Sequence, residues 1–363
     1  MKKYSVALLL MAMLVAGFTF SSCHQSYPPV VTGDDVGDFG KPSAPAPEPI
    51  YNPLTGLEIP AAIQSRVVVV SIDNLKPARP QSGLTQADIV YEVPAEGGIT
   101  RYQALFYGQR PERIGPVRST RPYIVDIARG WQALYVHCGW SEDAKKYLQY
   151  NVVDYLNELT YSKYFKRDKS RRAPHNLYTS AENIYQFLTE KEKQTVQEVK
   201  PFSFYAPGAL IAGEAAETIH FNYPTVKNRY EYHETDGLYY RYVNDGEQRD
   251  ANNEMQIACA NILVQKVTST VLDNAGRLKV DMTAGGEAML FTGGKVQIGT
   301  WQRAGLDSNT LFLDAGGQEF KLSPGQTWVQ ICDQQSKIEY SAPEPPPTET
   351  SGNTGQTTEG DTE

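Results

Sequence analysis

Val67-Val68-Val69-Val70-Ser71-Ile72 is a continuous apolar, β-branched run, closed by Asp73-Asn74. Branching at Cβ favours extended backbone, and the lack of polar alternation marks a strand covered on both faces. Open α/β sheets built from such strands place their polar site residues at the strands' carboxyl ends, where Asp73 and Asn74 stand. Working outward, further strands are expected at 89–93, 102–107 and 133–136. Helices are expected at 122–129, at 142–150 behind a Ser141 cap, and at 181–189, where Thr179 and Glu182 have capping-box spacing. Strands and helices interleave, so residues 52–200 read as an α/β N-terminal domain.

Downstream the pattern changes. Short strands are expected at 218–222, 230–233, 238–243, 257–266, 278–282, 288–291, 296–301, 310–313 and 327–331. Asp236-Gly237, Asp245-Gly246, Gly285-Gly286, Gly293-Gly294 and Gly316-Gly317 separate them as hairpin turns. Residues 214–335 therefore read as a mainly-β C-terminal domain, divided from the first where Pro201, Pro207 and Gly208 interrupt any regular element. Its tyrosines (Tyr230, Tyr232, Tyr239, Tyr240, Tyr242) suit a sugar-stacking face, but cross-strand aromatic packing accounts for them more simply.

The 363-residue chain carries a net charge of −8 and no long basic run, which excludes duplex nucleic acid as a partner. Lys2 and Lys3 precede an apolar stretch at 6–20, an export signal too short and too early to span a membrane. Phe20-Ser21-Ser22-Cys23 puts small residues directly before a cysteine and resembles the bacterial lipobox. Residues 1–22 then read as a signal peptide and Cys23 as the lipidated residue, anchored by acyl chains worth about 0.8 kcal/mol per buried CH₂. Removing 1–22 takes away Lys2 and Lys3 and moves the balance to −10. Residues 23–51 read as a Pro-rich tether and 341–363 as a disordered tail. Cys138, Cys259 and Cys332 have no metal-ligand spacing with the five histidines, so neither a metal site nor a cofactor is expected. Cys259 and Cys332 are left open between a disulfide and two buried thiols.

The charge reverses sign locally. From 101 to 129 lie Arg101, Arg110, Arg113, Arg118, Arg121 and Arg129, with Glu112 and Asp126 against them and no lysine. Arginine alone suits bidentate recognition of carboxylate or phosphate. Gly115-Pro116-Val117-Arg118-Ser119-Thr120-Arg121-Pro122 also leads into a helix start, with Thr120 as the expected cap and backbone N–H groups able to help hold an anion. Arg101, Arg118, Arg121, His175 and Asn176 are the expected anion-binding set, with Asp73 and Glu92 at its edge. Surface ion pairing is the competing account for each arginine taken singly.

Candidate chemistry beyond anion binding is thinner. Glu92 and His175 are the residues fit for proton transfer: Glu92 as one of a carboxylate group with Asp88 and Glu96, and His175 because Pro174 fixes its approach. Glu92 or Glu96 serves equally as counter-charge to Arg118 and Arg121. The basic loop 163–172 reads as a solvated surface. Ser141 is expected as a helix cap rather than a nucleophile, and a Cys138/His175 nucleophilic pair is the weakest reading.

Asp73-Asn74, Ala78-Arg79-Pro80-Gln81-Ser82-Gly83-Leu84, Ala87-Asp88-Ile89-Val90-Tyr91-Glu92, Gly98-Ile99-Thr100-Arg101, the Gly115 to Arg121 stretch and Ala173-Pro174-His175-Asn176 together resemble the YerB-like bacterial lipoproteins. The resemblance covers roughly 52–333. It implies a domain of unknown function followed by a β-rich one, on a lipoprotein at the outer face of the cytoplasmic membrane, and brings no settled activity with it. Two functions are therefore carried forward. One is a lipid-anchored protein that binds an anionic cell-envelope component, a cell-wall glycan or anionic polymer, through an arginine pocket. The other is an enzyme acting on peptidoglycan glycan or a phosphate-linked wall polymer, of glycosidase or phosphotransferase type. Protein partners are unknown.

Overall fold

All six residues of strand β1 (Val68–Asp73) are buried, and the molecule is layered on its two faces. The computed structural model describes residues 48–342; the expected signal peptide, Cys23, most of the tether and nearly all of the tail lie outside them. The first half continues with β2 (Ile89–Pro94), β3 (Thr100–Phe106), α1 (Pro122–Gly130), β4 (Leu134–His137), α2 (Glu142–Leu148), β5 (Tyr155–Asn157) and α3 (Ala181–Glu190). The second half is mainly β: β6 (Glu214–Ala215), β7 (Thr218–Asn222), β8 (Lys227–His233), β9 (Leu238–Val243), β10 (Asn261–Val267), β11 (Gly286–Thr292), β12 (Lys295–Gln302), β13 (Leu311–Asp314), β14 (Thr327–Asp333) and β15 (Ile338–Ser341). An α/β segment is thus followed by a β-rich one. Ser141 caps α2, accepting from the Ala144 N–H at 3.2 Å.

The two halves share one sheet. Its order is β6-β12-β11-β10-β14-β2-β3-β1-β4-β5, with β13 on β12, eleven strands among the described residues. The join is β14, which runs parallel to β2 and pairs Thr327 with Ile89 and Gln330 with Glu92. The second half, which the sequence sets apart as a domain, thus continues the sheet of the first. The reason is visible in β2 itself, which is buried from Ile89 to Val93. A strand so covered would leave unpaired backbone groups in the interior if it formed an edge.

Side-chain parity sorts the core into two layers. Val68, Val70, Ile72, Tyr102 and Ala104 pack with Ile219, Phe221, Tyr230 and Tyr239 of a second, antiparallel sheet containing β9-β8-β7-β15. Val67, Val69, Leu105 and Tyr135 pack with Ile124, Ile127 and Ala128 of α1. The tyrosines serve packing: Tyr232 and Tyr239 sit 5.0 Å apart between ring centres, and Tyr230 meets Trp328 edge to face.

Two local expectations are corrected, and one open pairing is decided. Arg121, not Thr120, occupies the α1 cap position, and no side chain caps it; the Thr120 hydroxyl accepts from Tyr135 at 2.7 Å. Ser180 caps α3, accepting from the Asn183 N–H, while Thr179 donates to the Tyr164 carbonyl. Cys138, Cys259 and Cys332 are free thiols, the last two buried, so no disulfide joins them.

Candidate functional site

The carboxyl end of β1 is built by insertion. Gly115 to Arg118 runs alongside it, with the Asp73 N–H donating to the Pro116 carbonyl and the Arg118 N–H to the Ser71 carbonyl, at 2.9 and 2.8 Å. On its other side the Val117 N–H donates to the Leu177 carbonyl. The fit is tight enough to require glycine at 115, where a Cβ would lie 2.8 Å from the Leu177 oxygen at a φ of +143°. The insertion delivers Arg118 to Asp73, Nε to Oδ2 at 3.3 Å. The loop before Leu177 delivers His175 to the same oxygen, Nδ1 to Oδ2 at 2.7 Å. Asp73 is 1% exposed and also accepts from the Leu75 N–H at 3.0 Å.

Directly across the antiparallel pair from Asp73 is Arg101, on the same face of the sheet. Glu96 joins it to Arg121: Arg101 Nη2 lies 3.2 Å from Oε1, Arg121 Nε donates to Oε2 at 3.0 Å, and Arg121 Nη2 contacts Oε1. Burial pushes the Glu96 carboxyl up, but Arg101 and Arg121 outweigh it and hold it below the usual range. Arg121 also donates to the Thr120 carbonyl at 2.6 Å, so its guanidinium is engaged along its whole edge. Arg101 is different. Its side chain is 3% exposed, yet Nε and Nη1 have no hydrogen-bond partner. Burial, with Arg121 alongside, pulls its pKa down.

The other sequence-derived candidates fall elsewhere. Glu92 lies on the opposite face of the sheet, because parity along β2 turns it toward the tyrosine-rich sheet. There it is fully buried, accepting from Thr100 and Asn74 on one oxygen and from Asn228 and Arg241 on the other. It is a structural ion pair with Arg241 at 2.6 Å, and neither the site edge nor a catalytic acid. Asn176 holds its loop, accepting from Arg167 and donating to the carbonyls of Asp168 and Arg171. The other three arginines of the run pair away from it: Arg110 stacks over Tyr185, Arg113 over Tyr178, and Arg129 forks onto Asp307 at 2.6 and 2.8 Å. Cys138 donates to Glu158, and burial with that carboxylate pushes its thiol up to about 12, the reverse of an activated nucleophile.

The arrangement has relatives. Residues 54–195 match the N-terminal domain and 218–329 the C-terminal domain of a protein family of unknown function, DUF3048. YerB of Bacillus subtilis (strain 168), provisionally classed as a lipoprotein, is 35% identical over 285 residues, covering 77% of this chain and 85% of the relative. The chain belongs to this YerB-like family. The crystal structure of B. subtilis YerB superposes with a TM-score of 0.72 at 33% identity, covering 80% of this chain and 99% of that one. The two family matches divide the sequence between 195 and 218, although the sheet itself runs through both parts.

Two residues of consequence went unread in the sequence of this family member. Arg241 is flanked by tyrosines, and only the alternation of β9, which turns Tyr239, Arg241 and Val243 inward, could have signalled its burial. His137 is buried among Tyr135, Trp140 and Tyr155, with Nδ1 on the Gly139 carbonyl and no partner for Nε2. No sequence signal marks it.

Proposed function

We propose that this protein is a lipid-anchored extracytoplasmic protein that holds an anionic cell-envelope component at the carboxyl end of β1. The observation that carries the reading is Arg101. A buried guanidinium with two unfilled donors is destabilising, by about 1–3 kcal/mol for each unsatisfied group, and a bound carboxylate or phosphate supplies the missing acceptors. Arg118, 26% exposed and touching only Asp73 among the described carboxylates, forms the outer wall. Arg101, Arg118 and Arg121 against Asp73 and Glu96 leave one net positive charge there. Each of these carboxylates is paired with arginine, as is Glu92 on the other face, which favours binding over a glycosidase carboxylate pair. The anchor rests on Phe20-Ser21-Ser22-Cys23 and on the lipoprotein class given to the B. subtilis relative, and export with that anchor leaves the chain at the outer face of the cytoplasmic membrane.

The test is affinity for two probes, a muropeptide with free carboxylates and a short polyglycerol phosphate. In calorimetry, Arg118→Lys and Arg101→Gln should each weaken one of them at least tenfold, because the planar fork is lost. Arg129→Lys, on its own surface partner, should leave affinity unchanged. Equal small losses in all three that grow with salt would reduce the effect to diffuse surface charge and end the proposal.

A further inference from the structure

The geometry points to a further activity: His175 acts as the general base in water attack on a phosphodiester held by Arg118 and Arg101. This rests on the anion site proposed above. Its ground is the free nitrogen of the imidazole. An ionised Asp73 only accepts, so the 2.7 Å bond fixes the proton on Nδ1 and leaves the lone pair on Nε2. Nε2 has no protein partner among the described residues, and the ring is 15% exposed, open to a water molecule or ligand. Asp73 is itself held by the Leu75 N–H and Arg118, so the dyad is anchored before anything binds. Pairing an oriented base with a cationic anion holder meets the geometric requirement for general-base hydrolysis.

The bond type follows from what surrounds the imidazole. Cleaving a glycosidic bond in the usual way needs two carboxyl groups, and Asp73 and Glu96 are tied to arginines while Glu92 is buried on the far face. The single net positive charge matches a phosphodiester, which carries one negative charge, better than a dianionic monoester. In the step, the water oxygen forms a bond to phosphorus while its proton passes to His175 Nε2. The phosphorus–oxygen bond to one ester group breaks, and its electron pair leaves on that oxygen, which takes the proton back from the imidazolium. One alcohol and one phosphomonoester result, with no other reactant. Arg118, with Arg101 behind it, supplies the positive charge that answers the charge building on the non-bridging oxygens.

The experiment uses the full-length chain in detergent with bis(p-nitrophenyl) phosphate and p-nitrophenyl phosphate, alongside phosphodiester binding by calorimetry. The wild type should release nitrophenol from the diester faster than from the monoester. His175→Ala should lose at least about a hundredfold in kcat while binding within threefold of wild type, and added imidazole should restore part of the rate. His175→Gln, which keeps a donor toward Asp73, should remain as inactive as His175→Ala. Diester binding without turnover in the wild type, or turnover unchanged in His175→Ala, would overturn the activity and leave the binding site standing. No binding in the wild type would remove the site and the activity together.

Discussion

Arg101 and His137 are buried groups with unsatisfied nitrogens, two on the first and one on the second, and their chemistries differ. Arg101 keeps its charge beside Glu96, and its empty donors are the basis of the anion site proposed above. His137 avoids charge. Burial lowers its pKa to about 4, against a small opposing pull from the Gly139 carbonyl, so the folded protein holds the ring neutral. Because the folded value lies below the unfolded one of about 6.5, the unfolded chain takes the proton first on acidification. The resulting stability is complete above pH 6.5 and is lost as pH falls toward 4, for a total of about 3 kcal/mol. His137→Phe retains the stacking on Tyr135, 5.1 Å away between ring centres, and removes the titration. Urea unfolding at pH 7.5 and pH 4.5 should therefore lose less stability on acidification in His137→Phe than in wild type. An identical difference between the two pH values in both proteins would refute the assignment.

Between elements, the Glu92–Arg241 pair ties β2 of the main sheet to β9 of the tyrosine-rich one. Arg241 is fully buried, bonded to Gln248 at 2.8 Å and to the hydroxyls of Tyr102 and Tyr230 at 3.2 Å, with the Trp328 ring 4.4 Å away. Burial alone would pull its pKa down, but Glu92 and the surrounding tyrosines outweigh that and raise it. Removing one partner of such a pair strands the other, at about 3–5 kcal/mol, whereas removing both can be close to neutral. Glu92→Gln should thus lower the denaturation free energy by that order, and Glu92→Gln with Arg241→Met should recover much of the loss. If the double variant is no more stable than the single one, the cost lies in packing and not in an uncompensated charge.

Across the whole molecule, one sheet runs through both family matches. Strand β14 seals β2, and the Val68, Val70 and Ile72 face is covered by Ile219, Phe221, Tyr230 and Tyr239 from the other half. A fragment spanning 49–213 would expose both that edge and that face. It should be unfolded or aggregated by circular dichroism and sedimentation, and the intact chain should melt in one calorimetric transition. A fragment with a cooperative melt of its own would mean that the halves merely dock.

The elements themselves were legible in the sequence because their signals are local. The valine run made β1, the Pro122 start and Gly130 stop bounded α1, and the glycine pairs separated the later hairpins. Arg118, His175 and Asp73 were grouped in advance from strand-end position and arginine-only composition, and the two basic residues do meet at Asp73 Oδ2. What the sequence could not decide was which charge answers which. Glu92 and Asp73 look alike as carboxylates near strand ends, but side-chain parity turned one toward Arg241, 149 residues away, and left the other on the face of Arg101. Glu96, one short turn beyond β2, became the counter-charge of Arg101 and Arg121 instead. Periodicity specifies that a strand has two faces. Only the packing of distant strands determines what each face meets, since electrostatic partners are chosen by distance in space and by exclusion of water.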